Sequence, residues 1–312
     1  MRQLYNIKNM NYKITGFDIP HVSKEDKLRR ILDSALQSKV GKIKFSITDS
    51  IYWSAEHFDL DKVDIFAAST LEEQTKILHL CNQTLLEEAY FIEKAGIGYM
   101  SKMVMLAETT EERMLYALFS ADEVAHLTKI SSFLPNPELV STSNPFLHLL
   151  ADVAETSDKA VLIFVLQVIL EGWGLTHYRN LAKNCINTEL KAVLQSFLED
   201  ESRHHATGVR LCEQVSIEHQ SQKTIIEILA SFLQMVQVGP QGVVAAVEQV
   251  KGSLSRQQKI TVFQQLGAEY HSSSRLNLLR GLMTNPQTLL IVQQLDEHNA
   301  FTPFTSEQCT TL

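Results

Sequence analysis

The chain has 312 residues, 45% of them hydrophobic and 21% charged. That is enough apolar material for a sizeable core, in the balance of a globular rather than a disordered protein. Its net charge of −8, with no run of Lys or Arg longer than a pair, excludes the clustered positive surface that nucleic-acid phosphates require. The four cysteines (Cys81, Cys185, Cys212 and Cys309) are far apart and lack CxxC spacing. No disulfide framework or structural zinc site is therefore expected, and the expected location is the cytoplasm. The first sixteen residues lack the apolar stretch of a signal peptide. The longest apolar run, Val161 to Leu175, is interrupted by Gln167 and Glu171 and is too short to span a bilayer, so no membrane association is expected.

With only 12 glycines and 7 prolines, and apolar residues spaced by threes and fours, the chain reads as all-α. A short helix begins after Ser23 and ends near Gly41. Residues 42–65 follow as an irregular or short-strand segment in which Ile43, Phe45 and Ile47 alternate. Thr70-x-x-Glu73 has the pattern of a capping box and starts a long helix from about Leu71 to about Met105. A second box, Thr109-x-x-Glu112, starts a helix that ends before Pro135, and the short connection folds the two into an antiparallel hairpin. Residues 134–157, with Pro135, Pro137 and Pro145, form a longer crossover holding one short helix. A third long helix, about Asp158–Ala182, turns through Asn184 and Asn187 into a fourth, about Thr188–Val215. Beyond Ser221 come further helices, broken at Gly239-Pro240, Gly252-Ser253 and Asn285-Pro286. The expected organisation is a single domain: an N-terminal extension (1–69), four core helices (70–216) and covering helices (217–312).

Two copies of Asp-Glu-x-x-His stand out: Asp122-Glu123-x-x-His126 and Asp200-Glu201-x-x-His204. Chance gives one such motif in about 3% of chains of this composition and two in about one chain in 2,000. Residues three and four apart share a helix face, so each motif aims a carboxylate and an imidazole at one point, with a second carboxylate beside them. A paired-metal site between helices needs such a set. The other two helices should then each supply one buried acid. On the third, Glu171 is the only acid inside VLIFVLQVILEGWGL, on the α-helical face of Phe164, Val168 and Leu175, and an unpaired buried carboxylate is costly without a cation or a proton. The first offers Glu87, Glu88 and Glu93. Glu88 follows Cys81 and Leu85 and precedes Phe91 and Ile92 on the apolar stripe, which favours it as the ligand.

The expected ligand set is Glu88, Glu123, His126, Glu171, Glu201 and His204. Asp122 and Asp200 are expected to take the free N–H of a histidine on the opposite helix. Four carboxylates with two imidazoles suit two iron ions, or manganese, or one of each, better than zinc. His177 and His205 read as ordinary core or surface histidines. Trp173, Tyr90, Tyr116 and Tyr178 read as packing, and Lys24, Lys27, Arg29 and Arg30 as a solvated basic face.

This pattern resembles the ferritin-like di-iron carboxylate superfamily over roughly residues 50–215, and the string Asp-Glu-Ser-Arg-His resembles that of its oxygenases. Tyr52-Trp53-Ser54-Ala55-Glu56 and the Leu71-Glu72-Glu73-Gln74 helix start are similar to the p-aminobenzoate N-oxygenase-like branch, which has a further histidine where this chain has Phe197. Radical-type ribonucleotide reductase subunits have a tyrosine at the position of Ile130, and multicomponent monooxygenases a threonine at that of Leu175. The resemblance implies a ferritin-like four-helix bundle and an O2-activating di-iron oxygenase or oxidase. Its substrate would be a small apolar or aromatic molecule, its electrons would come from an external donor such as a ferredoxin or reductase, and a homodimer is expected. The alternatives are a ferroxidase, a peroxide-detoxifying protein or a manganese catalase. Leu85, Phe91, Phe164, Val168, Leu175 and Phe197 are expected to form a dry lining, which favours the oxygenase.

Overall fold

The computed structural model describes residues 13–23, 25–41, 51–135 and 144–311. Among them every regular element is a helix, as the spacing of apolar residues and the scarcity of glycine and proline require. The alternation at Ile43, Phe45 and Ile47, Pro137 in the crossover and Lys24 of the basic face lie outside the described residues. Helix α1 is Lys27–Val40, starting where Asp26 accepts from the Leu28 N–H and ending at Gly41 (φ +81°). Short helical turns at Ala55–Phe58, Leu60–Lys62 and Asp64–Ala67 lead into α2, Leu71–Leu106.

The capping box of α2 forms as its sequence dictates: the Glu73 N–H donates to Thr70 Oγ1 and the Thr70 N–H to Glu73 Oε2. The second box forms by half. Thr109 Oγ1 accepts from the Glu112 N–H at the start of α3 (Thr110–Ser131), but the Glu112 carboxylate takes the N–H of Glu108 and pairs with Lys159. Helices α2 and α3 pack along their length as one hairpin. The crossover carries α4, Pro145–Glu155, and the chain continues into α5, Lys159–Asn184, and α6, Thr188–Cys212, which form a second hairpin.

Helix α5 departs from the expected geometry. Over Leu162–Leu170 it winds as a π-helix, and the Glu171 N–H donates to the Leu166 carbonyl five residues back. All nine of these residues are buried. By length and composition Lys159–Asn184 is apolar enough to cross a membrane, and its apolar part forms the centre of the core. The C-terminal helices are α7 (His219–Gln237), α8 (Gln241–Lys251), α9 (Arg256–Gln265), α10 (Ala268–Met283) and α11 (Leu289–Glu297). The break between α9 and α10 falls at Gly267 (φ +60°), which was not anticipated. Ile225, Leu229 and Phe232 of α7, Leu276 and Leu279 of α10, and Ile291 and Leu295 of α11 are buried in the same cluster as Val161–Leu170. Helices α7, α10 and α11 thus share their core with the second hairpin, while Val244 and Val247 of α8 and Val262 and Phe263 of α9 are buried with Ile77 and Cys81 of α2.

A buried carboxylate and histidine cluster

Side chains from α2, α3, α5 and α6 converge at one level of the core. Glu93, Glu123, His126 and Glu201 are all buried, and each offers a ligand atom within 4.8 Å of the others, a group that can hold a metal ion. His126 Nδ1 lies 3.2 Å from Glu93 Oε2 and 3.3 Å from Glu201 Oε1. His204 Nδ1 lies 3.3 Å from Glu123 Oε1 and 3.7 Å from Glu201 Oε2. Glu201 therefore stands between the two imidazoles, one oxygen toward each. Glu171 lies beside them; its field acts on the same carboxylates and on His204, and it lines the same cavity.

The outer nitrogens cross between the hairpins. His126 Nε2 on α3 is 3.1 Å from Asp200 Oδ2 on α6, and His204 Nε2 on α6 is 3.3 Å from Asp122 Oδ2 on α3. Both imidazoles thus turn Nδ1 inward and Nε2 to an acid of the opposite helix. The rings are also backed alike. Phe197 stacks on His126 with centroids 4.0 Å apart, and Phe119 lies 4.3 Å from His204. Each phenylalanine is four residues before the motif glutamate, so the repeated unit is Phe-x-x-Asp-Glu-x-x-His. The sequence reading named Phe197 only as a lining residue and missed Phe119 and the repeat, although both copies show it.

The first-helix acid is corrected. Glu88 does not join the cluster; Glu93 does. Five residues at 1.5 Å rise separate their levels by roughly 7.5 Å. Glu88 Oε2 accepts instead from Asn144 Nδ2 at 2.7 Å. With Glu93 the spacing becomes equal in the two hairpins: 123 − 93 = 30 and 201 − 171 = 30. Tyr178 holds Glu93 in place by donating its hydroxyl to Oε1. Gly96, one turn beyond Glu93, makes room for the facing acid, since a Cβ there would lie 2.4 Å from Glu123 Oε2.

The π-helical turn has a second role. Gln167 Oε1 accepts from Tyr116 at 2.6 Å and Tyr99 at 3.4 Å, while its Nε2 donates to the carbonyl of His204 at 3.0 Å. His205 Nδ1 lies 3.2 Å from the Gln167 carbonyl. Gly208 lets α6 approach this point, for a Cβ there would lie 2.7 Å from Gln167 Cγ. Gln167 therefore fastens α5 to the helix carrying the second motif. Tyr116 and Tyr178, read from the sequence as packing, make polar contacts in this network and at Glu93.

So many buried acids cannot all be charged unless cations balance them. In the metal-free chain protons take that part. Burial drives Glu123 and Glu171 upward, Glu171 well above the ordinary carboxylate value. Burial would also raise Glu201, but the His126 and His204 rings that face its two oxygens outweigh it and hold it low. His126 remains an imidazolium up to about 12: burial opposes that charge, and Asp200, Glu201 and Glu93 overcome it. Two atoms are left over. Glu171 Oε2 and His204 Nδ1 are buried without a hydrogen-bond partner, and both belong to the cluster. An unpartnered carboxylate oxygen and a ring nitrogen that becomes a ligand on losing its proton, with oxygen and nitrogen ligands around them, fit divalent cations of the iron and manganese type. The protons and imidazolium charges are what such cations would displace.

Beside the cluster is a cavity of about 100 Å³. Ile92, Phe146, Leu150, Leu166, Leu170 and Trp173 form most of its apolar wall, and Glu93, Glu123, Glu171 and Glu201 face it from the cluster. The lining differs from the expected one: Leu85, Phe91, Phe164, Val168, Leu175 and Phe197 do not line it, and Phe197 stacks on His126 instead. For Phe164, Val168 and Leu175 the π-helical segment is the cause, because it changes which residues of α5 share a face. No protein-family profile, characterised protein or solved structure matches this chain.

Proposed function

We propose that the protein is an O2-dependent oxidoreductase with a two-metal centre, iron or manganese, of the ferritin-like carboxylate type, acting on a small apolar or aromatic guest. The observation that carries this reading is the convergence of Glu93, Glu123, His126, Glu171, Glu201 and His204 next to a cavity, with Glu171 Oε2 and His204 Nδ1 left unpartnered. The metals would supply the redox chemistry with O2, with reducing equivalents from an external donor. The chain's own groups have four tasks. Glu201 holds negative charge between the imidazoles. Asp200 and Asp122 fix the histidine tautomer that presents Nδ1 inward. Tyr178 keeps Glu93 aimed at the cluster. The apolar wall excludes bulk water and orients the guest.

The apolar wall supports this reading over iron storage, because it offers an organic molecule a seat beside the acids. Metal analysis and O2 uptake test the proposal. Purified protein should hold close to two iron or manganese ions per chain, and the ferrous form should consume O2 in proportion to the centres present. Full metal loading in a Glu123→Ala/Glu201→Ala double variant would overturn the metal site. Repeated oxidation of a large excess of Fe(II) to mineral would replace the oxygenase reading with a ferroxidase.

A further inference from the structure

Glu88 is the one carboxylate of the cavity wall that stands outside the cluster. Its position is built. Asn144 Oδ1 caps α4 by accepting from the Phe146 N–H at 2.9 Å, which fixes the amide, and Nδ2 of the same group donates to Glu88 Oε2. Oε1 has no hydrogen-bond donor among the described residues. Trp173, His177 and Gly174 lie on the wall with it. His177 is neutral at ordinary pH, held down to about 4 by burial, with Arg275 and His57 adding to the effect.

The polarity of the wall is one-sided. Five glutamates line the cavity, Glu88, Glu93, Glu123, Glu171 and Glu201, and no lysine or arginine is among its described lining residues; the charge of Arg275, outside the lining, acts on Glu88 without forming an ion pair with it. An anionic guest would meet the Glu88 carboxylate at the end remote from the cluster. A guest with a cationic or multiply donating group finds an acceptor in Glu88 Oε1, separated from the cluster by an apolar interval. The axial offset of roughly 7.5 Å between Glu88 and Glu93 matches one six-membered ring with a short arm. A cavity of about 100 Å³ admits little more.

We propose that Glu88 is a specificity-determining residue that binds a protonated amine at the end of the guest remote from the metal cluster, selecting small aromatic or cyclic organic amines. This rests on the reading of the cavity as the substrate pocket of the cluster. Charge-assisted hydrogen bonds of this kind favour an amine over its neutral isostere by about tenfold or more.

Isothermal titration of the full chain with benzylamine, benzyl alcohol and benzoate tests it, with metal content measured on the same samples. Benzylamine should bind about tenfold tighter than benzyl alcohol, and benzoate weakest. Glu88→Gln should bring benzylamine to the level of benzyl alcohol without changing metal content. Gly174→Leu places a side chain where a Cβ meets nothing within 4 Å, so it should fill the cavity without disturbing the fold and abolish binding of both ligands. Equal affinities in the unaltered protein, an amine preference that survives Glu88→Gln, or binding that persists in Gly174→Leu would each overturn the proposal. A Glu88-dependent preference in a protein that takes up no metal would sink the two-metal reading alone. Two bound metals without that preference would sink only the role of Glu88.

Discussion

Asp200 on α6 takes the outer nitrogen of His126 on α3 at 3.1 Å, so the imidazole of one hairpin is oriented by an acid of the other. His204 and Asp122 repeat the exchange in the opposite sense at 3.3 Å. Neither half of the cluster is complete without its counterpart.

Asp200→Asn keeps the shape and removes the charge, so the fold should survive while metal affinity falls about 10- to 100-fold. Competition with a chelator of known affinity measures this. Unchanged affinity would return Asp200 to the role of a half-buried partner of Arg203, with which it also pairs.

Glu93 and Glu88 separate cleanly by metal content. Glu93→Gln should lower the metal bound per chain, because it removes a buried acid 3.2 Å from His126 Nδ1. Glu88→Gln should leave metal content unchanged. The reverse result in elemental analysis would restore the assignment that the apolar stripe alone suggested.

Gly96→Ala should displace the Glu123 carboxylate, since the added Cβ would overlap Oε2 at 2.4 Å. The metal content should drop, with a loss of stability of about 1–3 kcal/mol from overpacking. Gly174→Ala is the control; its Cβ meets nothing within 4 Å, and neither quantity should fall. Thermal unfolding with metal analysis on both variants decides the matter.

The metal-free protein should lose stability as pH rises above 4.5. Burial lifts Glu123 and Glu171 in the folded state, so both keep protons that the unfolded chain releases near 4.5. The unfolded state then binds fewer protons, and stability falls with pH by up to about 1.4 kcal/mol per unit for each such proton. Glu201 is shifted the other way: its contribution is present above 4.5 and is lost as pH falls below that value. Metal binding should displace the retained protons, so metal affinity should rise with pH. Unfolding midpoints of metal-free protein at pH 5 and pH 8, higher at the acidic value, would bear this out.

The all-α architecture and the doubled motif were legible because helix periodicity, capping boxes and i, i+3 spacing are local properties. The start of α2 at Leu71 and the inward carboxylates of Glu123 and Glu201 follow directly from them. Choosing Glu88 over Glu93 failed because an apolar stripe marks the buried side of a helix, not the height along it at which a partner helix presents its acids. Equal spacing of 30 in both hairpins, together with Gly96 one turn on, carried the height. The lining of the cavity was also hidden. The π-helical turn at Leu162–Leu170 shifts the phase of α5, and the pull that maintains it comes from Gln167 bonds to Tyr116 and His204 on other helices.

The exchange of acids between hairpins has a consequence for assembly. A hairpin formed alone, by folding or after cleavage in the crossover, would carry a histidine with no acid to set its tautomer and a glutamate with no imidazole to face. Cation capture at full strength therefore has to wait until α3 and α6 have docked, and a captured cation then acts as a clasp that makes undocking slow. Metal uptake during refolding should thus trail the appearance of helix and coincide with the closing of the two halves, which makes the centre a built-in clock for the last step of folding.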